Sequence, residues 1–320
     1  MRVLITGAAG FIGQLLAQKL LNDEEGRYTL ILTDVVEPPI PQNVKWPEKA
    51  QAIVADLCKD ASLVVDKALD AVFVFHGIMS SGAEFNYELG MKVNFDATRI
   101  LLETLRNICP GVRVIYASSQ AVYGGKVVQP VTEAMAATPE TSYGAEKMMC
   151  EYLINDYTRR SFINGLILRF PTVSVRPGKP TAAASSFLSG IIREPMNGQE
   201  CVIPIEDRSF RHWLCSPRVL VSNLEYSLTL PNDALPPYDR TVNHPGIGVS
   251  VQDMIDSLAR VGGQDKLKYL REKEDPKLKP ILYSWPAEFD NTRALSLGFK
   301  RDVSFDDIVR DYKESLPKSA

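Results

Sequence analysis

A tyrosine and a lysine four residues apart, Tyr143 and Lys147, are the pair in this chain with the clearest capacity for chemistry. At this spacing on a helix both side chains lie on one face, so the ammonium can stabilise the phenolate of the tyrosine. A free phenol loses its proton only near pH ~10 and acts as a base at neutral pH only beside positive charge. We therefore predict that Tyr143 removes a hydroxyl proton while the carbon below gives up a hydride.

A serine pair, Ser118-Ser119, ends the strand predicted over 112–117 and precedes this helix. A serine hydroxyl at a strand end can hold the substrate oxygen while Tyr143 takes the proton. Either serine could do so, and we prefer Ser119 because it stands three residues before Val122. The predicted catalytic set is Ser119, Tyr143 and Lys147.

Three glycines, Gly7, Gly10 and Gly13, follow the first predicted strand. The first permits a tight turn, the second lets the backbone approach a pyrophosphate, and the third lets the next helix pack close to the sheet. The backbone N–H groups of Phe11 and Ile12 in the first helical turn would then face the phosphates. This pattern favours a dinucleotide cofactor.

An aspartate, Asp34, closes the second predicted strand, twenty-one residues after Gly13. A carboxylate there can accept hydrogen bonds from both ribose hydroxyls of the adenosine half, which favours NAD over NADP. Asp56-Leu57, after the third strand, is placed for contact with the adenine ring. A solvent-exposed aspartate at a strand end is the alternative for Asp56.

Composition narrows the range of partners. The chain has 320 residues, 45% of them hydrophobic, and a net charge of -3, so it lacks the basic excess that drives nucleic-acid binding. No run approaches the ~20 apolar residues of a membrane span. The first predicted strand begins at Arg2, directly after Met1, so we expect no signal segment and a cytoplasmic location. Because a basic excess is missing, we predict a small-molecule partner. The five cysteines form no ligand-spaced pair, so we predict no metal site.

Short β-branched runs alternate with helical patterns through the first half, which predicts an α/β fold of the Rossmann type, a doubly wound parallel sheet. The strands are predicted at 2–6, 29–33, 51–54, 71–75, 112–117 and 166–170, and the helices at 11–22, 60–69, 84–107 and 141–160. The apolar stripes of the last two helices either pack on the sheet or pair with their copies in a homodimer.

Pro- and Gly-punctuated segments replace this alternation from Pro171 onward. We therefore predict an NAD-binding domain over 1–170 and a smaller α/β substrate domain over 171–320. The strand-like Thr241-Val242-Asn243 and the helical pattern after it predict a return to the first domain near 240–262.

With these residues assembled, the chain resembles the extended short-chain dehydrogenase/reductase family over its whole length. The resemblance rests on the glycine segment at 6–13, Asp56-Leu57, the segments at 118–124 and 143–147, and Leu168-Arg169-Phe170. It implies seven parallel strands, NAD at their carboxyl edge, Ser119, Tyr143 and Lys147 as the catalytic set, and a homodimer. It further implies that Tyr143 and Lys147 contact the cofactor together with His76, Gly77, Asn94, Phe170, Pro171 and Val173.

Other segments resemble a branch of the family that oxidises a secondary alcohol of a small sugar acid. They are 76–94, 176–180, 183–187, 191–195 and 284–286. Such an acid needs a cation, and Arg211 aligns with an arginine that binds a substrate phosphate in related epimerases. Arg176 and Lys179 are further candidates, and Ser80 and Ser81 are predicted to donate hydrogen bonds to substrate oxygens.

Two other functions fit part of the pattern. A nucleotide-sugar 4-epimerase with tightly held NAD uses the same hydride chemistry, although Pro171-Thr172-Val173 stands where such enzymes carry an asparagine. An NAD-sensing protein without catalysis could use the same fold. It would not need both Tyr143 and Lys147, so dehydrogenation is the leading hypothesis.

Overall fold

The short apolar runs predicted as strands do form strands. The computed structural model describes residues 1–124, 127–180 and 183–316. The strands are β1 (Arg2–Thr6), β2 (Thr29–Asp34), β3 (Ala50–Val54), β4 (Ala71–Val74), β5 (Arg113–Ser119), β6 (Asn164–Phe170), β7 (Thr172–Val173), β8 (Cys201–Ile203), β9 (Arg211–Cys215), β10 (Thr241–Asn243), β11 (Ile247–Ser250) and β12 (Leu270–Glu272).

The main sheet of the described residues has seven strands, in the order β10-β6-β5-β4-β1-β2-β3. The four pairings from β3 to β5 are parallel. Chain order reverses between β1 and β4, and in sheets of this type the crevice at such a point is where ligands bind. The predicted Rossmann-type architecture is confirmed.

Helices occur in both halves of the chain. They are α1 (Phe11–Leu21), α2 (Ser80–Phe85), α3 (Tyr87–Gly90), α4 (Ala97–Ile108), α5 (Ser142–Arg159), α6 (Ser186–Met196), α7 (Pro217–Ser227), α8 (Val251–Ser257), α9 (Lys279–Tyr283), α10 (Thr292–Ser296) and α11 (Phe305–Ser315). Among the described residues, no helix is long and apolar enough to cross a membrane.

One predicted helix is absent and another is interrupted. Residues 60–69 form turns, because Asp60 and Asp66 accept hydrogen bonds from backbone N–H groups two residues on and so compete with a helix. The predicted helix 84–107 is interrupted: Asn86 caps α3 by accepting from the Leu89 N–H, and a π-helical turn over Met91–Asp96 leads into α4.

The chain divides into two compact units. The first comprises residues 1–122, 141–169 and 221–242, and the second comprises 123–140, 170–220 and 243–320. The chain passes from the first unit to the second at residue 170, and residues 221–242 return to the first unit. This return brings β10 to the edge of the sheet, whereas β11 pairs antiparallel with β9 in a separate sheet. The predicted domains over 1–170 and 171–320, with a return near 240–262, stay a prediction.

Each unit has its own hydrophobic core. In the first unit, Leu4 of β1, Val72 of β4 and Leu101 of α4 belong to one buried cluster. In the second unit, Ile191 of α6, Leu214 of β9 and Ile308 of α11 belong to another. The helical periodicity of the apolar residues therefore reflects core packing in both units.

Candidate active site

The glycine turn after β1 leaves no room for side chains. Gly7 has a φ of +64°, and a Cβ there would lie 2.7 Å from the His76 backbone nitrogen. A Cβ on Gly13 would lie 2.6 Å from the Gly7 carbonyl oxygen. The turn thus packs directly against the start of α1 and the end of β4, as the glycine pattern predicts.

The first turn of α1 is suited to an anion. Gly10 is the N-cap residue and provides no side-chain cap, and the turn that contains Phe11 and Ile12 carries no acidic residue. The first N–H groups of a helix have no partner within the helix and attract phosphate. Together with the close-packed glycines, this geometry fits the pyrophosphate of NAD.

Asp34 is tied to the same turn. Its Oδ2 accepts from the Ala9 N–H at 3.0 Å, and its Oδ1 accepts from the Val35 N–H at 2.8 Å. The hydrogen bond to Ala9 places the carboxylate beside the glycine turn, where a ribose bound to the pyrophosphate would lie. Asp34 is half-buried.

Asp56 has a local role as well. Its Oδ1 accepts from the Cys58 N–H at 3.1 Å, and its Oδ2 lies 3.4 Å from the Lys59 ammonium. Leu57 is buried in the core of the first unit. The Asp56 side chain is 33% exposed and is held by its own turn, and contact with adenine stays a prediction.

His76 is held by two threonines that the sequence did not single out. Its Nδ1 lies 2.8 Å from Thr6 Oγ1, and its Nε2 lies 3.2 Å from Thr98 Oγ1. Burial, with a smaller effect of the Lys147 charge, lowers the pKa of His76 to about 3. The imidazole is therefore neutral at pH 7 and joins the ends of β1 and β4 to α4.

Ser80 and Ser81 begin α2, after Met79, rather than lying in an open loop. Both are about nine-tenths buried. Their predicted contact with substrate oxygens therefore depends on a substrate reaching the first turn of α2.

The two serines at the end of β5 differ in their neighbours. Ser118 is 2% exposed, and its hydroxyl donates to Glu151 Oε1 at 2.5 Å. Glu151 is also buried and pairs with Arg169 at 2.6 Å. Ser119 is half-buried, and its Oγ accepts from the Ala121 N–H at 3.1 Å, which leaves the hydroxyl hydrogen for another acceptor. These contacts favour Ser119 as the serine that meets substrate.

Tyr143 and Lys147 lie on α5, whose start is capped by Thr141. Lys147 is 4% exposed, and its ammonium donates to the Ala117 carbonyl oxygen at 2.8 Å. The same ammonium lies 5.5 Å from the centre of the Tyr143 ring and 4.8 Å from that of Tyr116. A buried cation is thus fixed between the catalytic helix and β5, next to the predicted base.

Three of the predicted cofactor contacts, Phe170, Pro171 and Val173, belong to the second unit, whereas Gly77 and Asn94 belong to the first. Phe170 meets His244 edge to face at 5.9 Å, Pro171 is buried, and Val173 pairs with Cys215 in β9. The Val173 carbonyl oxygen accepts from Arg176 Nε at 3.2 Å. These residues lie at the beginning of the stretch 170–220 of the second unit.

Arg211 lines a cavity of about 640 Å³ in the second unit, together with Trp213, Arg260 and Arg301; we call it the arginine cavity. Arg211 donates to the Gly248 carbonyl oxygen at 2.8 Å and lies 3.9 Å from Asp253 and 3.7 Å from Glu288. Its side chain is 45% exposed, so it can bind an anion from solvent. Lys179 lies in an exposed loop.

One group near the predicted base was missed from the sequence. Glu146, between Tyr143 and Lys147, is 1% exposed and accepts from the side chain of Asn94 at 2.5 Å. Its position inside the Tyr-to-Lys spacing was the available signal, but a glutamate on a helix is usually a solvent-facing residue.

The sequence matches the NAD dependent epimerase/dehydratase family over residues 3–216, and the chain belongs to this family. It is an NAD-dependent oxidoreductase of the extended short-chain dehydrogenase/reductase type.

Two bacterial relatives are named D-erythronate dehydrogenase. The chain is 40% identical to the protein from Haemophilus influenzae over 317 residues, covering 98% of this chain and 99% of the relative. It is 41% identical to the protein from Cupriavidus necator over 324 residues, covering 98% of each. A solved structure described as a nucleoside-diphosphate-sugar epimerase from Agrobacterium tumefaciens has a TM-score of 0.92 and 34% identity, covering 98% of this chain and 94% of that one.

Proposed function

We propose that the protein oxidises the C2 hydroxyl of D-erythronate, or of a similar short sugar acid, with NAD as the hydride acceptor. The proposal rests chiefly on the buried ammonium of Lys147 beside Tyr143. Relatives named for this activity match almost the whole chain, which supports the choice of substrate.

Each catalytic residue has one task. The Lys147 ammonium stabilises the phenolate form of Tyr143 and would reach the nicotinamide ribose of bound NAD, and this phenolate accepts the hydroxyl proton and becomes the neutral phenol. Ser119 donates to the substrate oxygen. Bound NAD supplies an electron-poor ring carbon that takes the hydride. The glycine turn, the first turn of α1 and Asp34 hold the adenosine and pyrophosphate parts.

Arg211 is proposed to bind the carboxylate of the acid, with Arg176 as the second candidate. A guanidinium can form two parallel hydrogen bonds to a carboxylate. The Arg211 guanidinium is half exposed and lies beyond hydrogen-bond distance of both neighbouring carboxylates, so an incoming carboxylate can compete for it.

The runner-up is a nucleotide-sugar 4-epimerase, favoured by the described activity of the structure from Agrobacterium tumefaciens. The two are separated by incubating the protein with NAD and either short aldonates or nucleotide sugars. We expect reduced cofactor to accumulate with D-erythronate and not with Tyr143→Phe. Interconversion of two nucleotide sugars, without NADH from any acid, would contradict the proposal.

We also propose a homodimer through the region of α2 to α5, in the cytoplasm. Large apolar side chains are exposed there, with Phe85 89%, Tyr87 61% and Tyr152 67% exposed. Sedimentation of the wild type should give a dimer that Phe85→Asp dissociates. Val303→Asp alters a residue of the second unit that is equally exposed, 89%, and serves as the control. A monomeric wild type would refute the dimer.

A further inference from the structure

The side chain of Asn94 makes three hydrogen bonds, two with the backbone of Ile78 and one with the side chain of Glu146. Its Oδ1 accepts from the Ile78 N–H at 2.7 Å, and its Nδ2 donates to the Ile78 carbonyl oxygen at 3.1 Å and to Glu146 Oε2 at 2.5 Å. Asn94 is 1% exposed, so no water can replace a lost partner cheaply. The Ile78 N–H requires an acceptor, and this fixes which way the amide points.

Ile78 belongs to the segment between β4 and α2, residues 75–79, which we call the β4–α2 loop. A Cβ on Gly77 in this loop would lie 2.8 Å from Asn94 Oδ1 and 3.9 Å from the Lys147 ammonium. The loop therefore borders the proposed catalytic lysine, and the amide of Asn94 is what pins it there.

Three groups form hydrogen bonds with the Asn94 side chain. One of them, the carboxyl group of Glu146, lies on α5, the helix that carries Tyr143 and Lys147. A Cβ on Gly90 would collide with Glu146 Oε1 and lie 3.0 Å from Ala83, so α2, α3 and α5 meet closely around the carboxyl group. Glu146 Oε1 has no hydrogen-bond partner among the described residues. A buried carboxyl with one oxygen unpaired is costly, which points to a task for the other oxygen.

We propose that Glu146 is a positioning residue that orients the Asn94 amide and so holds the β4–α2 loop against the bound cofactor. This proposal rests on the proposed function for the chemistry of the site. The position of the β4–α2 loop itself can be measured without substrate. When Glu146 is removed, Asn94 keeps an unpaired buried donor and can rotate away from Ile78.

The first test measures NADH affinity by fluorescence and hydrogen exchange of the Ile78 amide in the cofactor-free protein. Glu146→Ala should weaken NADH binding about tenfold or more and speed exchange at Ile78 by a similar factor, while Glu146→Gln, which keeps an acceptor oxygen, should stay within about threefold of wild type. Glu88→Ala is the control, because Glu88 is an exposed carboxylate in the first turn of α3. Unchanged NADH affinity and exchange in Glu146→Ala would overturn the proposal.

The second test asks whether the two side chains act as a pair. Asn94→Asp places a carboxylate against Glu146 and should weaken NADH binding more than Glu146→Ala does. Adding Glu146→Gln supplies an N–H donor to the new carboxylate and should recover about tenfold of that loss. A double variant no better than Asn94→Asp would show that Glu146 only fills space. Failure of NADH formation with D-erythronate, with these binding results intact, would instead count against the proposed substrate.

Discussion

The catalytic edge of the first unit and the arginine cavity of the second hold their polar groups in opposite ways. Lys147 and Asn94 are 4% and 1% exposed, and each has its hydrogen bonds fixed by neighbouring backbone. Arg211 is 45% exposed, and the carboxylates of Asp253 and Glu288 lie near its guanidinium but beyond hydrogen-bond distance. Burial fixes orientation, whereas exposed charges are screened and can exchange partners. Substitutions in the first region should therefore have large effects that salt does not alter.

The largest effect is expected for Tyr143→Phe, which removes the proton acceptor and keeps the ring beside Lys147. We expect kcat with the sugar acid to fall ~10²–10⁴-fold with unchanged NADH affinity. Tyr238→Phe alters a tyrosine that is 68% exposed and is the control. Loss of NADH binding in Tyr143→Phe would show that the tyrosine acts on the cofactor instead.

The serine pair gives the next contrast. Ser119→Ala should lower kcat ~10²-fold at unchanged stability, because it removes the donor to the substrate oxygen. Ser118→Ala should lower the free energy of unfolding by ~1–3 kcal/mol, because buried Glu151 loses a donor, and should leave kcat much closer to wild type. Initial rates and urea unfolding measure both. Reversed effects would make Ser118 the catalytic serine.

A third contrast separates backbone strain from close approach. Gly7 and Gly111 both have positive φ, +64° and +80°, but only Gly7 has backbone within 3 Å of an added Cβ. Gly111→Ala should cost ~1–2 kcal/mol of stability and leave NADH binding intact. Gly7→Ala should lower the free energy of unfolding by more than Gly111→Ala does. It should also weaken NADH binding at least ~tenfold, since the glycine turn must shift. Equal NADH affinities would remove Gly7 from the cofactor site.

The smallest effect is expected in the arginine cavity. Arg211→Met should raise KM for the sugar acid about tenfold, leave KM for NAD unchanged, and abolish much of the salt dependence of KM. Arg218→Met, which removes an exposed arginine paired with Asp311, is the control. An unchanged KM in Arg211→Met would leave Arg176 as the candidate for the carboxylate.

The sequence predicted those parts of the fold that depend on local pattern. The strand at 2–6 and the helix that starts at Phe11 follow from apolar runs and glycines, and the structure has them at those positions. The turns at 60–69 were missed, because Asp60 and Asp66 accept hydrogen bonds from backbone N–H groups two residues on, and this outweighed the apolar periodicity there. A π-helical turn at 91–96 has no distinct sequence period and was missed for that reason.

The proximity of two side chains was predictable where spacing alone constrains it, as for Tyr143 and Lys147, whose ring centre and ammonium lie 5.5 Å apart. Their catalytic roles stay a prediction. The choice between Ser118 and Ser119 required the position of Glu151, which lies thirty-three residues after Ser118 and reaches it only in the folded chain. Glu146 was missed for the same reason, since its partner Asn94 is distant in sequence. Which arginine meets the substrate carboxylate depends on surface charges that no local pattern encodes.

Transfer of hydride from C2 of a short sugar acid to NAD can be followed with an isotope. D-erythronate carrying deuterium at C2 is incubated with the protein and NAD, and the reduced cofactor is analysed by mass spectrometry. We expect NADH that carries one deuterium, formed more slowly than from unlabelled acid. Reduced cofactor without deuterium, or no reduced cofactor from this acid, would contradict this hydride transfer.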